Sequence, residues 1–169
     1  TKETVLERLA ALKAYGQCSV VIDLIYGLPG QTMEVWEQDL ADLVSSGVDG
    51  ADLYQLNVFD GSDLNKDIAK GKVPAAATTA MQGDMFKFGR KYLDERSYRR
   101  LSAAHWSANN RERSLYNILA KAGVPMFPFG SGAGGNVDGY GMMLHRALKP
   151  YEDMVSRGEK PFMALMKQS

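Results

Sequence analysis

Residues 20–32, VVIDLIYGLPGQT, decide the fold. Three apolar residues, Val20, Val21 and Ile22, run into Asp23. Leu24, Ile25 and Tyr26 follow, and then the breaker cluster Gly27, Leu28, Pro29 and Gly30. An apolar run of this length, rich in β-branched residues and bounded by glycine, predicts a strand buried on both faces. That is the habit of a parallel sheet covered by helices. Asp23 is the exception within it, because a buried carboxylate is costly unless it is paired or hydrogen-bonded. Ligands in α/β folds gather at the C-terminal ends of the strands. Asp23 therefore either faces a ligand, such as the hydroxyls of a ribose, or caps a neighbouring loop or pairs with a basic side chain.

The flanking segments read as helices. Residues 4–15 carry Val5, Leu6, Leu9, Ala10 and Leu12 at helical spacing. Thr4 is the expected cap, with Glu7 completing a capping box, and Gly16 is the expected stop. Residues 33–46 form a second stripe from Val35, Trp36, Leu40, Leu43 and Val44, with Thr32 as N-cap and acids in the first turns. Residues 51–59, ADLYQLNVF, predict a second strand, so the order is helix, strand, helix, strand, with one βαβ unit and a right-handed crossover. A turn at Asp60, Gly61 and Ser62 follows.

Beyond it come a short helix over residues 63–70, a connector and a helix over 78–93. The Met81, Met85, Phe86, Phe88, Tyr92 and Leu93 stripe of that helix predicts core. Residues 98–107 read as one strand, with Arg99 and Arg100 solvated. His105 beside Trp106 is a candidate metal ligand or acid/base, or else a hydrogen-bonded histidine under a loop. Residues 109–113 read as a polar loop and 114–122 as a helix burying Leu115, Ile118 and Leu119. The glycines Gly130, Gly132 and Gly135 have dinucleotide-type spacing. Pro125 and Pro128 interrupt any preceding strand and no helix start follows, so a Rossmann site is excluded. A short strand over 140–146, a short helix over 150–157 and a further element from 161 complete the chain.

Composition narrows the classes. The chain has 169 residues, 45% hydrophobic and 24% charged, with a formal net charge of zero. It carries no electrostatic footprint for nucleic acid and no apolar run long enough for a membrane span. A single cysteine, Cys18, rules out an intrachain disulfide framework and a multi-cysteine metal site. It reads as a small buried hydrophobe and mildly favours a reducing cytoplasm.

The string IDLIYGLPGQT, the Trp36 helix and the strand DLYQLNVF resemble the radical S-adenosylmethionine enzymes of the oxygen-independent coproporphyrinogen oxidase group. RLSAAHW, RERSLYN and PFGSGAGGN are similar to its haem-utilisation branch. That branch includes anaerobic methyltransferases that open the porphyrin ring and release iron. The resemblance covers residues 5–165. It implies an α/β fold: the last two strands and helices of a partial (β/α)6 barrel (residues 1–62), then an α+β region packed on it (63–169).

The family holds a [4Fe–4S] cluster on a CxxxCxxC loop, which this sequence does not contain. The resemblance therefore implies the C-terminal portion of an enzyme, inactive by itself and unable to hold the cluster or S-adenosylmethionine stably. In the intact parent, reductive cleavage of S-adenosylmethionine would yield a carbon radical, with a reductant such as flavodoxin. Asp23 matches the family aspartate that binds the ribose. Ile25 matches the residue near the adenine, and Asn57 the sixth-strand position that approaches it. For the haem or porphyrin, the branch-specific part offers His105, Trp106, Arg113, Tyr116, Gly130 and Gly132. Arginines suit propionates. The alternatives are a coproporphyrinogen III dehydrogenase and a non-catalytic haem chaperone. The strand over residues 19–26 is expected to present an open edge, which invites self-pairing.

Overall fold

The computed structural model describes residues 1–167. The chain divides into two compact units, Thr1–Ser114 and Leu115–Ser169. In the first, helix α1 (Lys2–Tyr15) leads into strand β1 (Val21–Tyr26). Helix α2 (Met33–Ser46) then crosses over to β2 (Gly50–Gln55), which pairs parallel to β1. After α3 (Asp63–Ala69) and α4 (Thr79–Asp94), the short strands β3 (Arg99–Arg100) and β4 (His105–Ser107) complete a sheet of order β1-β2-β4-β3. β4 runs antiparallel to both neighbours.

The helices begin where short polar side chains satisfy free N–H groups. Thr32 Oγ1 accepts from Val35 N, Ser62 Oγ from Asn65 N and Thr78 Oγ1 from Met81 N. The core lies between one face of the sheet and helices α2 and α4. Trp36, Leu40, Leu43, Met85 and Leu93 meet Ala51, Leu53 and Trp106 there. The Trp36 indole donates to Met85 O at 2.8 Å. A Cβ on Gly89 would stand 3.0 Å from Trp36 Cζ2 and 3.2 Å from Leu53 Cδ1, so α4 packs this closely only with glycine there.

Several expectations change. Thr1, not Thr4, caps α1, because the helix starts a turn earlier. β1 is covered on one face only. Ile22 and Leu24 pack against the core, whereas Asp23 and Ile25 are exposed. β1 is also an edge of the sheet, as expected. Only Leu9 of α1 is buried, and Val5 and Leu12 are exposed. Cys18 is exposed, since it lies in the α1–β1 loop and not in the strand. Residues 98–107 form a hairpin in place of one strand: the chain turns back between Arg100 and His105, and Arg100 donates to the Ser102 and Ala103 carbonyls inside the turn.

In the second unit, α5 (Leu115–Lys121) precedes β5 (Gly134–Val137), β6 (Tyr140–Leu144), α6 (Leu148–Ser156) and β7 (Phe162–Lys167). The strands form an antiparallel sheet of order β5-β6-β7. Asp138 and Gly139, at φ 51° and 76°, make the two-residue hairpin turn between β5 and β6. Positive φ at both central positions suits the twist of paired strands. The glycine-rich stretch enters this hairpin and opens no helix. Leu115, Ile118 and Leu119 are exposed, not buried, because no element of their own unit covers that stripe.

Candidate functional site

The open face of the first sheet is built by strand alternation. With Ile22, Leu24, Ala51, Leu53 and Trp106 turned to the helices, Asp23, Ile25, Asp52, Tyr54 and His105 fall on the opposite face. Register then sets Asp23 beside Asp52, Asp52 beside His105, and Ile25 beside Tyr54. Asp52 Oδ2 lies 2.9 Å from His105 Nδ1. Among the described residues no hydrogen bond or ion pair engages the Asp23 carboxylate. The Tyr54 phenol is pushed up by burial and by the neighbouring Asp52 and Asp23 charges. Asp23 is therefore a free, solvent-facing carboxylate beside an apolar side chain and a phenol.

His105 is buried, and its Nε2 stands 3.3 Å from Glu112 Oε1 without the alignment of a hydrogen bond. Burial raises the Glu112 carboxyl, but the Ser114 N–H, the Ser19 hydroxyl and His105 more than offset it and hold it below the usual range. Ser19 Oγ donates to Glu112 Oε2 at 3.0 Å, and so ties the 107–114 loop to the start of β1. Asp49 repeats the device. It accepts from Val20 N and Asn109 Nδ2, each at 2.9 Å, with Lys13 and Arg111 nearby. Arg111 also reaches the Gly16 and Cys18 carbonyls. His105 thus sits under a loop between two carboxylates.

The other expected residues separate. Trp106 is fully buried on the helix side of the sheet, away from the face that carries His105. Asn57 is exposed just past β2 and accepts from Gln55 Nε2 at 3.4 Å. Arg113 is exposed in the first unit. Tyr116, Gly130 and Gly132 are exposed in the second, the two glycines at φ 94° and 76°. A Cβ on Gly135 would meet the Met126 carbonyl and come within 2.7 Å of Pro128 Cδ, so this glycine lets two backbone segments touch. Asp52 and Tyr54 were missed in the sequence. The alternation ADLYQ shows that they share a face, but only strand pairing sets them beside Asp23.

No family model matches the chain. Its fold is that of a radical S-adenosylmethionine enzyme, the coproporphyrinogen III oxidase HemN of Escherichia coli. The match has a TM-score of 0.75 at 17% identity and covers 100% of this chain and 41% of that one. The sequence is 37% identical over 166 residues to anaerobilin synthase of Escherichia coli O157:H7, covering 98% of this chain and 37% of that protein. It is 30% identical over 118 residues to the mitochondrial radical S-adenosyl methionine domain-containing protein 1 of Danio rerio, covering 69% and 26%. Identity to the heme chaperone HemW of Lactococcus lactis is 27% over 141 residues, covering 82% and 36%. The chain is homologous to these radical S-adenosylmethionine proteins and spans well under half of each.

The residues present fit one of the two groups this family uses. A free carboxylate suits the diol of a ribose, and exposed Ile25 beside it suits an adenine face. A [4Fe–4S] cluster is held by several cysteine thiolates, and the chain has only Cys18. No group of His, Cys, Asp or Glu among the described residues could hold a metal ion. Nor is any helix long and apolar enough to cross a membrane.

Proposed function

We propose that this chain forms the nucleoside-binding and substrate-facing portion of a haem-degrading radical enzyme, a methyltransferase that opens the porphyrin ring without oxygen and releases iron. The reading is carried by the free Asp23 carboxylate, which stands beside Ile25 on the open face of the sheet. When bound, S-adenosylmethionine supplies the methyl and radical chemistry of that class. Asp23 accepts from the ribose hydroxyls, Ile25 covers one face of the adenine, and Asn57 offers its amide at the end of β2. Asp52 stays bonded to His105, and this leaves Asp23 as the carboxylate that meets the ligand. No step through the cluster is assigned to this chain. A reductant such as flavodoxin would serve the polypeptide that carries it, in a cytoplasmic setting consistent with the lone thiol. The open β1 edge also favours self-association, which sedimentation over a concentration range would detect.

The test is a chimera. This chain replaces the matching 166-residue segment of the Escherichia coli O157:H7 anaerobilin synthase, and the product is given haem, reductant and S-adenosylmethionine without oxygen. A linear tetrapyrrole and free iron are expected, and Asp23→Ala should abolish both by weakening cofactor binding. Haem returned unchanged by a chimera that still holds its cluster would favour the chaperone reading, in line with the similarity to HemW. Action on coproporphyrinogen alone would favour the dehydrogenase.

A further inference from the structure

The second unit holds an apolar groove of about 520 Å³. Its lining comes from the β5-β6-β7 sheet, from α6 and from the 127–129 loop, and includes Phe129, Tyr140, Met142, Tyr151 and Phe162. Its volume lies within the range of small-molecule sites. The groove is not a filled core: Phe129 is 87% exposed, and Tyr140 and Phe162 also stand open to solvent. Open aromatic surface of this kind marks an interaction site.

We propose that this groove seats the flat face of a tetrapyrrole, recognised through its macrocycle and not through its iron. The inference rests on the haem reading above and adds the place of binding. Aromatic rings gain most from a flat partner, stacked or met edge-on. Met142 adds a polarisable thioether. Lys160 is the cation of the lining, and an ammonium beside an apolar slot matches an amphiphile with one apolar plane and carboxylate arms. Asp138, at the hairpin turn, marks the end that carboxylates avoid. The lining contains no histidine or cysteine, but Met142, Tyr140 and Tyr151 are side chains of a type that can reach an iron, so comparison with the iron-free porphyrin is the decisive arm of the test. Neither His105 nor Trp106 belongs to it.

The test titrates the 169-residue chain with haem and with iron-free protoporphyrin IX, read by the Soret band and by porphyrin fluorescence. Both are expected to bind with comparable affinity. Val155 lines the groove from α6 and is exposed, so Val155→Glu should leave the helix intact. It should weaken both ligands at least about tenfold, because a carboxylate cannot be covered by an apolar ring without loss. Leu148→Glu, exposed on the same helix but outside the lining, is the control and should change nothing. Lys160→Ala should weaken protoporphyrin IX and leave its dimethyl ester unaffected. Circular dichroism checks that each variant folds.

Binding of haem without binding of protoporphyrin IX would overturn the proposal, as would full affinity in Val155→Glu. So would a dimer that Val155→Glu dissociates while porphyrin affinity stays the same, because the groove would then be an interface between copies. Failure to bind either porphyrin overturns it too. In each case the chimera experiment still decides the haem reading separately: a chimera that degrades haem keeps that reading and removes only the groove.

Discussion

The two units spend their apolar residues differently. In the first, Trp36, Leu40, Leu43, Met85, Leu93 and Trp106 are sealed between a sheet face and two helices. In the second, Leu144 is buried, while Phe127, Phe129, Tyr140, Met163, Leu165 and Met166 remain exposed. Burial of apolar area is the main favourable term in folding. The first unit therefore owes its stability to its own core, and the second keeps surface that a ligand or another chain segment can cover. Polar groups divide within the first unit. Asp49 and Glu112 are locked by several donors, whereas the Asp23 carboxylate, on the open face, is left free. A stable scaffold with one free carboxylate is what a binding face requires.

Substitutions can break this contrast. Trp36→Ala should have the largest effect, costing about 4 kcal/mol through lost burial and a residual cavity. Denaturant unfolding followed by the fluorescence of Trp106 measures it, and because both tryptophans lie in the first unit the signal reports that unit. Asp49→Ala should cost about 3 kcal/mol, since it leaves Val20 N–H and the nearby cations without their acceptor. The pH dependence has a definite sign. Burial raises the Asp49 carboxyl, but the Val20 and Asn109 donors with Lys13 and Arg111 outweigh it and hold it below the usual range. A group depressed on folding stabilises above its unfolded value, so this contribution is present at neutral pH and is lost as pH falls below about 4. Glu112 acts in the same direction. Acid titration of stability should show a shallower acid limb in Asp49→Ala.

The second unit should respond less. Leu144→Ala should cost about 2 kcal/mol, near the low end for a buried leucine, because its surroundings can collapse into the groove. Hydrogen exchange on β5–β7 reads it without interference from the first unit. Ile118→Ser should change stability by less than about 0.5 kcal/mol, as expected for an exposed site. A large loss there would mean that the stripe on α5 is covered after all, and the contrast between the units would fail.

Much of the first unit was legible in the chain. Helical spacing located α2 and α4, Thr32 marked the start of α2, and the Trp36, Leu40, Leu43, Met85 and Leu93 stripes named the core. These features are local: a period of 3.6 residues and a cap three residues from its donor are written within one turn. The same rule failed on α5, where the stripe Leu115, Ile118 and Leu119 has the right spacing and no cover. Periodicity states which residues share a face, not whether anything packs on it.

Asp23 was singled out in the sequence as a carboxylate within an apolar strand. Its freedom was decided elsewhere, because β1 ends the sheet and its open face carries no helix. The row Asp23, Asp52 and His105 depends on a parallel pairing across 29 residues and an antiparallel one across 53. The turn back at residues 101–104 that allows the second pairing hides inside a run that reads as one strand. Local order, caps and core membership were set by the sequence, since they depend on neighbours along the chain. Register, edge position and exposure were set only by the tertiary structure, since hydrogen-bond ladders between distant strands choose which side chains meet.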